Sequence, residues 1–465
     1  MNALAYRSVN PTTGELLDEY PFITVEDLAD ALGAADEAFV SWSARPIEER
    51  AHVARRISEV LRERGGELAA TVTREMGKLA PEAADEAELA ADIFAYYAEH
   101  GPEFAAEQVL SDTERERTVL QHLPVGPLLG IMPWNYPLYQ VARFVAPNLV
   151  LGNTILLKHA ESTPGCALAI EAALHDAGVP EGVYRNVFAC HEQVSEIIAD
   201  PRIQGVSLTG SERAGAAVAE QAGRHLKKAV LELGGSDPWI LLSSDDIEAD
   251  AAKAVGTRLE NTGQACNSNK RIIVSADIYD RFLDAVIARV AALSPGDPAD
   301  GEEDTYGPLS SKKAADTGEE QLHRAIEAGA QLRIGGERLV EGAFGDGFYI
   351  SPAVLTDVPR GSDIYYEEFF GPVITIFRVE SDEEALELAN DTQYGLGSTV
   401  YATEPGRAEA VGEKLRAGMT GVNGAAPESE DMPFGGVKRS GYGRELGPVG
   451  MDEFVNKRLY SVRKK

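Results

Sequence analysis

The chain has 465 residues, 44% hydrophobic and 25% charged, more than one hydrophobic core usually serves, so two or more globular domains are expected. Its 43 Lys and Arg against 75 Asp and Glu give a formal net charge of −32, a surface that repels nucleic-acid phosphates and anionic lipid headgroups and excludes both as expected partners. The three cysteines, Cys166, Cys190 and Cys266, form no C-x-x-C pair, which argues against a zinc site or a disulfide framework, and no metal is expected.

Free thiols suit a reducing compartment. Met1 to Tyr20 lacks the charged and apolar regions of a secretory leader, and no apolar run approaches the about 18 residues of a membrane span. A cytoplasmic location is therefore expected.

Along the chain, Ile47, Ala51, Ala54, Ile57, Val60 and Leu61 recur at helical spacing, with Gly65-Gly66 as the stop. Pro81 opens a second helix, with Leu89, Ile93 and Tyr96 on one face. From Pro124 onward short apolar strands alternate with helices. Strands are predicted at Leu128–Ile131, Thr154–Leu157, Val183–Ala189, Gly205–Leu208 and Ala229–Leu233, and helices after Pro137 and Pro164. This pattern predicts a parallel sheet covered by helices, a Rossmann-like α/β domain. After Gly235 the alternation restarts with Trp239–Leu242, Arg271–Val274, Val373–Phe377 and Ser398–Tyr401, predicting a second α/β domain. The polar, alternating stretches Ser111–His122 and Asn456–Lys465 read as edge strands of a small extra sheet. The expected division is residues 1–105 and 124–233 for dinucleotide binding and 234–440 for catalysis, with 106–123 and 448–465 as an oligomerisation sheet.

Several positions carry chemistry. Cys266 lies on a tight polar loop after Asn261 and Gly263, where a thiolate can be presented to a cleft, although a lone cysteine is more often a small core residue. Glu232 ends an apolar strand, and partial burial there would lift its pKa toward that of a general base. Asn135 stands between Trp134 and Tyr136, framed by Pro133 and Pro137, which pre-aim its amide. Gly210, Ser211 and Gly215 fall where a strand turns into a helix, a setting that suits a pyrophosphate at a helix N-terminus. Lys158 and Glu161 follow the strand Thr154–Leu157, at the end of the sheet where α/β domains bind ligands.

Taken together, PWNYP at 133–137, Lys158 to Glu161, Leu208 to Ser211, Glu232 to Gly235, Gly263 to Cys266, Glu367 to Pro372, Pro433 to Gly436 and Ser440 to Glu445 resemble the aldehyde dehydrogenase superfamily, in its order and nearly end to end. The Lys158-His159-Ala160 form and the stretch Val437 to Leu446 look most like the bacterial succinate-semialdehyde dehydrogenases. The resemblance implies oxidation of an aldehyde to a carboxylic acid, with Cys266 as nucleophile, Asn135 and the Cys266 N–H holding the oxyanion, and Glu232 activating the hydrolytic water. It implies a nicotinamide dinucleotide beside Trp134, Gly210, Ser211, Gly215, Glu368 and Phe370, with Lys158 and Glu161 facing the adenosine ribose. A carboxylate at 161 repels a 2′-phosphate, so NAD is expected over NADP. Glu445 is implied in proton relay.

By the same resemblance Arg143 holds a substrate carboxylate, with Ser429 assisting. Two departures stand against that substrate. Glu260 occupies the place of a second arginine, and the loop Glu428-Ser429-Glu430-Asp431 is acidic, so the same chemistry on an uncharged or amino aldehyde is the alternative. A non-catalytic binding protein of the same fold is the alternative of another class. Assembly into homodimers or homotetramers through the small sheet is implied.

Overall fold

Two parallel sheets organise the chain, and both follow from runs of apolar residues too short for helices and too uniformly buried for one-sided strands. The computed structural model describes residues 6–465. Met1–Ala5, the start of the expected first domain, lie outside the described residues. The first sheet runs Gly441–Tyr442, Lys228–Glu232, Gly205–Thr209, Pro127–Ile131, Thr154–Lys158 and Tyr184–Asn186 in spatial order. All neighbours are parallel except the Gly441–Tyr442 edge, which runs antiparallel to Lys228–Glu232. The second sheet runs Gln331–Ile334, Ala353–Thr356, Val373–Val379, Arg271–Ser275, Pro238–Leu241, Thr399–Tyr401 and Gly421–Val422. It is parallel apart from its Gln331–Ile334 edge. The mixed α/β class is as expected.

Helices on the faces bury alanine-rich and aliphatic stripes. Ala80–Phe104, opened by Pro81, packs against Ile47–Glu63 and Tyr139–Leu151, and its Ile93, Phe94 and Tyr97 are fully buried. Tyr139–Leu151 is buried all round, because it lies between that helical layer and the first sheet.

The helix Ile47–Glu63 stops just before Gly65-Gly66, as expected, while two strand expectations are corrected. The chain breaks at Arg64 and restarts as Gly65–Met76, because a break needs only one residue out of helical geometry. The segment read as one edge strand is a hairpin, Gln108–Asp112 with Glu116–Pro124, to which Val455–Arg463 adds antiparallel. The expected strand Val183–Ala189 shortens to Tyr184–Asn186. Among the described residues no helix is long and apolar enough to cross a membrane, and no group of His, Cys, Asp and Glu is placed to hold a metal.

Candidate active site

Cys266 follows a backbone bent against its preferences. The helix Ile247–Leu259 ends, and Asn261, Thr262 and Gly263 then take left-handed conformations with φ of 49°, 55° and 75°. Thr262 is β-branched, so this costs of order 1–3 kcal/mol and needs external support. Arg258 supplies it. Its fully buried guanidinium donates to Gly263 O at 3.1 Å and Ser268 Oγ at 2.8 Å, and on its other side to Phe369 O at 2.8 Å and Gly371 O at 2.6 Å. One side chain thereby ties the cysteine loop to the loop carrying Glu368.

Asn135 is held against the same loop. Its Nδ2 donates to Gln264 O at 2.9 Å, Asn261 Nδ2 donates to the Asn135 carbonyl at 2.9 Å, and Gln140 Nε2 donates to Asn135 Oδ1 at 3.2 Å. An amide nitrogen has two hydrogens, so one remains for an oxyanion. Glu232 ends the strand Lys228–Glu232 with 2% exposure, and neither carboxylate oxygen has a hydrogen-bond partner.

Cys266 and Gln140 line two cavities at once. One, of about 290 Å³, is also lined by Trp134, Asn135, Thr209, Gly210, Ser211, Glu232, Gly234, Glu368 and Phe370. The other, of about 330 Å³, includes Glu82, Tyr139, Arg143, Glu260, Glu428 and Phe434. The first cavity fits a nicotinamide dinucleotide. It lies past the ends of parallel strands, Trp134 and Phe370 meet edge to face with ring centres 5.8 Å apart, and a Cβ at Gly234 would collide with the Glu368 carboxylate.

Charge is unevenly placed around the sulfur. Burial pushes the Cys266 thiol up to about 12, while Arg143 and Lys270 pull it down. Burial, then the nearby Glu445, holds Glu232 well above the ordinary carboxylate range. Burial also raises Glu445, against the pull of Arg143. Arg143 Nε lies 2.7 Å from Glu445 Oε2. Its guanidinium packs between the rings of Tyr139 and Phe434, and Nη2 has no hydrogen-bond partner.

Other expected residues lie elsewhere. Lys158 and Glu161 sit at the end of Thr154–Lys158, outside both cavity linings, and pair at 3.5 Å. Gly215 lines neither cavity. It lies in the helix Glu212–Arg224, where a Cβ would strike Leu233. Ser429 likewise lies outside both cavity linings. Its hydroxyl donates to Asp431 Oδ1 at 2.5 Å, and Glu428, one residue earlier, lines the cavity instead. Sequence reasoning missed Arg258, Gln140 and Lys270. Charged residues flanking apolar elements, as in Lys270-Arg271 before the strand to Ser275, were the available signal.

A thiol shared by a cavity past parallel strand ends and a second, acid-rimmed cavity defines the class of dinucleotide-linked carbonyl oxidoreductases. The chain matches the aldehyde dehydrogenase family over residues 2–459. It is 49% identical over 454 residues to the succinate-semialdehyde dehydrogenase (NADP+) of Deinococcus radiodurans, covering 98% of this chain and 94% of the relative. It is 42% identical over 450 residues to succinate semialdehyde dehydrogenase (NAD(P)+) Sad of Escherichia coli, covering 97% and 96%. A crystal structure of succinic semialdehyde dehydrogenase from Streptococcus pyogenes with NADP+ is similar at a TM-score of 0.93 and 39% identity, over 99% of this chain and 100% of that one. The chain belongs to the aldehyde dehydrogenase family and is an NAD(P)-dependent aldehyde dehydrogenase.

Proposed function

We propose that the enzyme oxidises succinate semialdehyde to succinate, with Cys266 as the nucleophile. The observation that carries the substrate reading is the buried Arg143 guanidinium with its unpaired Nη2, in the lining of the cavity that ends at Cys266. A carboxylate held in that cavity would sit within the field of a guanidinium whose only ion pair among the described residues is with Glu445, while the aldehyde end faces the sulfur, and such pairing favours an anionic substrate. The names of the Deinococcus and Escherichia relatives support the same substrate.

Cys266 adds its sulfur to the carbonyl carbon, its proton passing to Glu232, which has both oxygens free. The free Asn135 amide hydrogen and the Cys266 N–H hold the oxygen that gains charge. Trp134, Gly210, Ser211, Glu368 and Phe370 would hold the dinucleotide, which when bound would accept the hydride leaving the aldehyde carbon, so that the oxidised carbon stays on Cys266 as a thioester. Glu232 then gives up its proton toward Glu445 and takes another from water, whose oxygen adds to the thioester carbon. The carbon–sulfur bond breaks and the acid departs.

The expected preference for NAD gains no support from the relatives, whose names specify NADP or both. Lys158, 3.5 Å from Glu161, also offsets the carboxylate that was to repel a 2′-phosphate. Both dinucleotides therefore serve as acceptors in this reading. The rim carboxylates Glu82, Glu260 and Glu428 favour the second reading, an uncharged or amino aldehyde. The three-stranded sheet with its exposed Leu110, Leu459 and Val462 supports assembly into dimers or tetramers, the two large sheets support a dinucleotide domain over 1–105 and 124–233 and a catalytic domain over 234–440, and the three free cysteines support a cytoplasmic location.

The test compares kcat/KM for succinate semialdehyde, butyraldehyde and 4-aminobutyraldehyde with each dinucleotide. A preference of about tenfold or more for the carboxylated aldehyde is expected, the share of a charge-assisted hydrogen bond. Equal values, or a preference for the amine, would overturn the substrate.

A further inference from the structure

Lys270 is 1% exposed and stands between the cysteine loop and the strand Arg271–Ser275. Its ammonium donates to Ala265 O and Cys266 O, each at 2.7 Å, and pairs in charge with Glu368 Oε1 at 3.0 Å. The ammonium also lies 5.7 Å from the centre of the Phe370 ring. Glu368 Oε1 is further committed to the Gly235 N–H at 3.0 Å. Its second oxygen, Oε2, is the one nearest Gly234, in the lining of the cavity that fits the dinucleotide.

Buried ion pairs contribute little net stability compared with apolar residues of the same shape, so stability is a weak reason for this arrangement. Its connectivity is a better one. A single carboxylate touches the cofactor cavity with one oxygen and, through one ammonium, the carbonyl of the nucleophile with the other.

We propose that Lys270 is a positioning residue that couples occupancy at Glu368 to the reactivity of Cys266. When a hydroxyl of a bound dinucleotide donates to Oε2, part of the carboxylate charge is drawn away from Oε1. The ammonium is then less neutralised and acts more strongly on the adjoining thiol, which becomes more acidic. The sulfur is thereby activated when the hydride acceptor is in place. The charged groups acting on the thiol are Arg143, Lys270, Glu368 and Glu232, and Asp237 is a further carboxylate near Lys270. The inference rests on the reading that Glu368 meets the dinucleotide, and is independent of which aldehyde is oxidised.

Alkylation of Cys266 by iodoacetamide, followed by peptide mass across pH with and without NADP+, tests it. The position of the pH profile is read rather than the rate, because a bound dinucleotide also shields the sulfur. In the wild type NADP+ should move the profile down by about one unit, roughly a tenfold gain in thiolate at a given pH. Lys270→Met should move it up and abolish the shift, with NADP+ still bound by calorimetry. A full NADP+ shift in Lys270→Met overturns the proposal. Glu368→Gln supplies a second line should Lys270→Met misfold: its free form should already show the lowered profile, and a wild-type profile with a full NADP+ shift overturns the coupling. Unchanged NADP+ affinity in Glu368→Gln removes the underlying reading of that glutamate, and the inference with it.

Discussion

The two cavities that meet at Cys266 are made of different materials. The dinucleotide side is built at the ends of parallel strands: Pro133 and Trp134 after Pro127–Ile131, Gly210 and Ser211 after Gly205–Thr209, and Leu233 and Gly234 after Lys228–Glu232. Its shape comes from sheet topology, backbone and small residues. The aldehyde side is built from side chains on the helices Ala80–Phe104 and Tyr139–Leu151 and on two loops. In the proposed reading, topology sets the reaction class and a handful of replaceable side chains sets the substrate. On this view a substitution on the first side should affect all aldehydes alike, and one on the second should separate them by charge.

Glu232 gives the sharpest test on the first side. Glu232→Gln keeps the volume and removes the proton acceptor, so steady-state turnover should fall by about 10²–10⁴, within the usual range for a general base. If the loss falls mainly on hydrolysis, rapid mixing should show a burst of reduced dinucleotide near one per active site, followed by slow release. The deficit should be the same for butyraldehyde and succinate semialdehyde. A deficit confined to one of them would place Glu232 on the wrong side of the comparison.

Arg143 should discriminate. Arg143→Gln is expected to raise KM for succinate semialdehyde by about 10-fold or more, through loss of a charge-assisted contact, and to leave KM for butyraldehyde within about twofold. It should also lower stability by roughly 3–5 kcal/mol, because Glu445 is left buried without its cation. The double variant Arg143→Gln/Glu445→Gln should recover part of that loss in thermal unfolding. An equal rise in KM for both aldehydes would assign Arg143 to Glu445 alone.

Much of this was legible in the sequence, for reasons that differ by position. Apolar runs such as Ile155 to Leu157 marked their strands because strands buried on both faces leave little room for polar residues. The motif residues Asn135, Glu232 and Cys266 were visible because local prolines, glycines and strand ends frame them. Their shared cavity was not, since it depends on Arg258 bridging Gly263 and Ser268 nearby to Phe369 and Gly371, 111 and 113 positions away. Lys270 stayed hidden for the same reason, because one lysine looks like another until its partners are brought around it. That Ser429 falls outside the cavity lining was not legible, because a loop's register against a cavity is set by its own hydrogen bonds, here to Asp431.

The smallest expected effect lies at the rim. Burial pushes Glu82 up to about 7, and Glu428 is raised in the same direction by its packing at the cavity and by Glu260. Glu428 keeps one side in water, which limits its rise. These carboxyls are neutral below that pH and ionised above it, so the rim turns more negative as pH rises. KM for the anionic succinate semialdehyde should therefore climb between pH 6 and pH 8, by about two- to threefold, while KM for butyraldehyde stays flat. Glu428→Gln should remove much of the climb at pH 8 and change little at pH 6. Added salt should mimic the substitution, because the charges are partly exposed and screened. A KM for succinate semialdehyde that is level across this range would mean the rim has no bearing on substrate charge, and would leave Arg143 as the sole discriminator on that side.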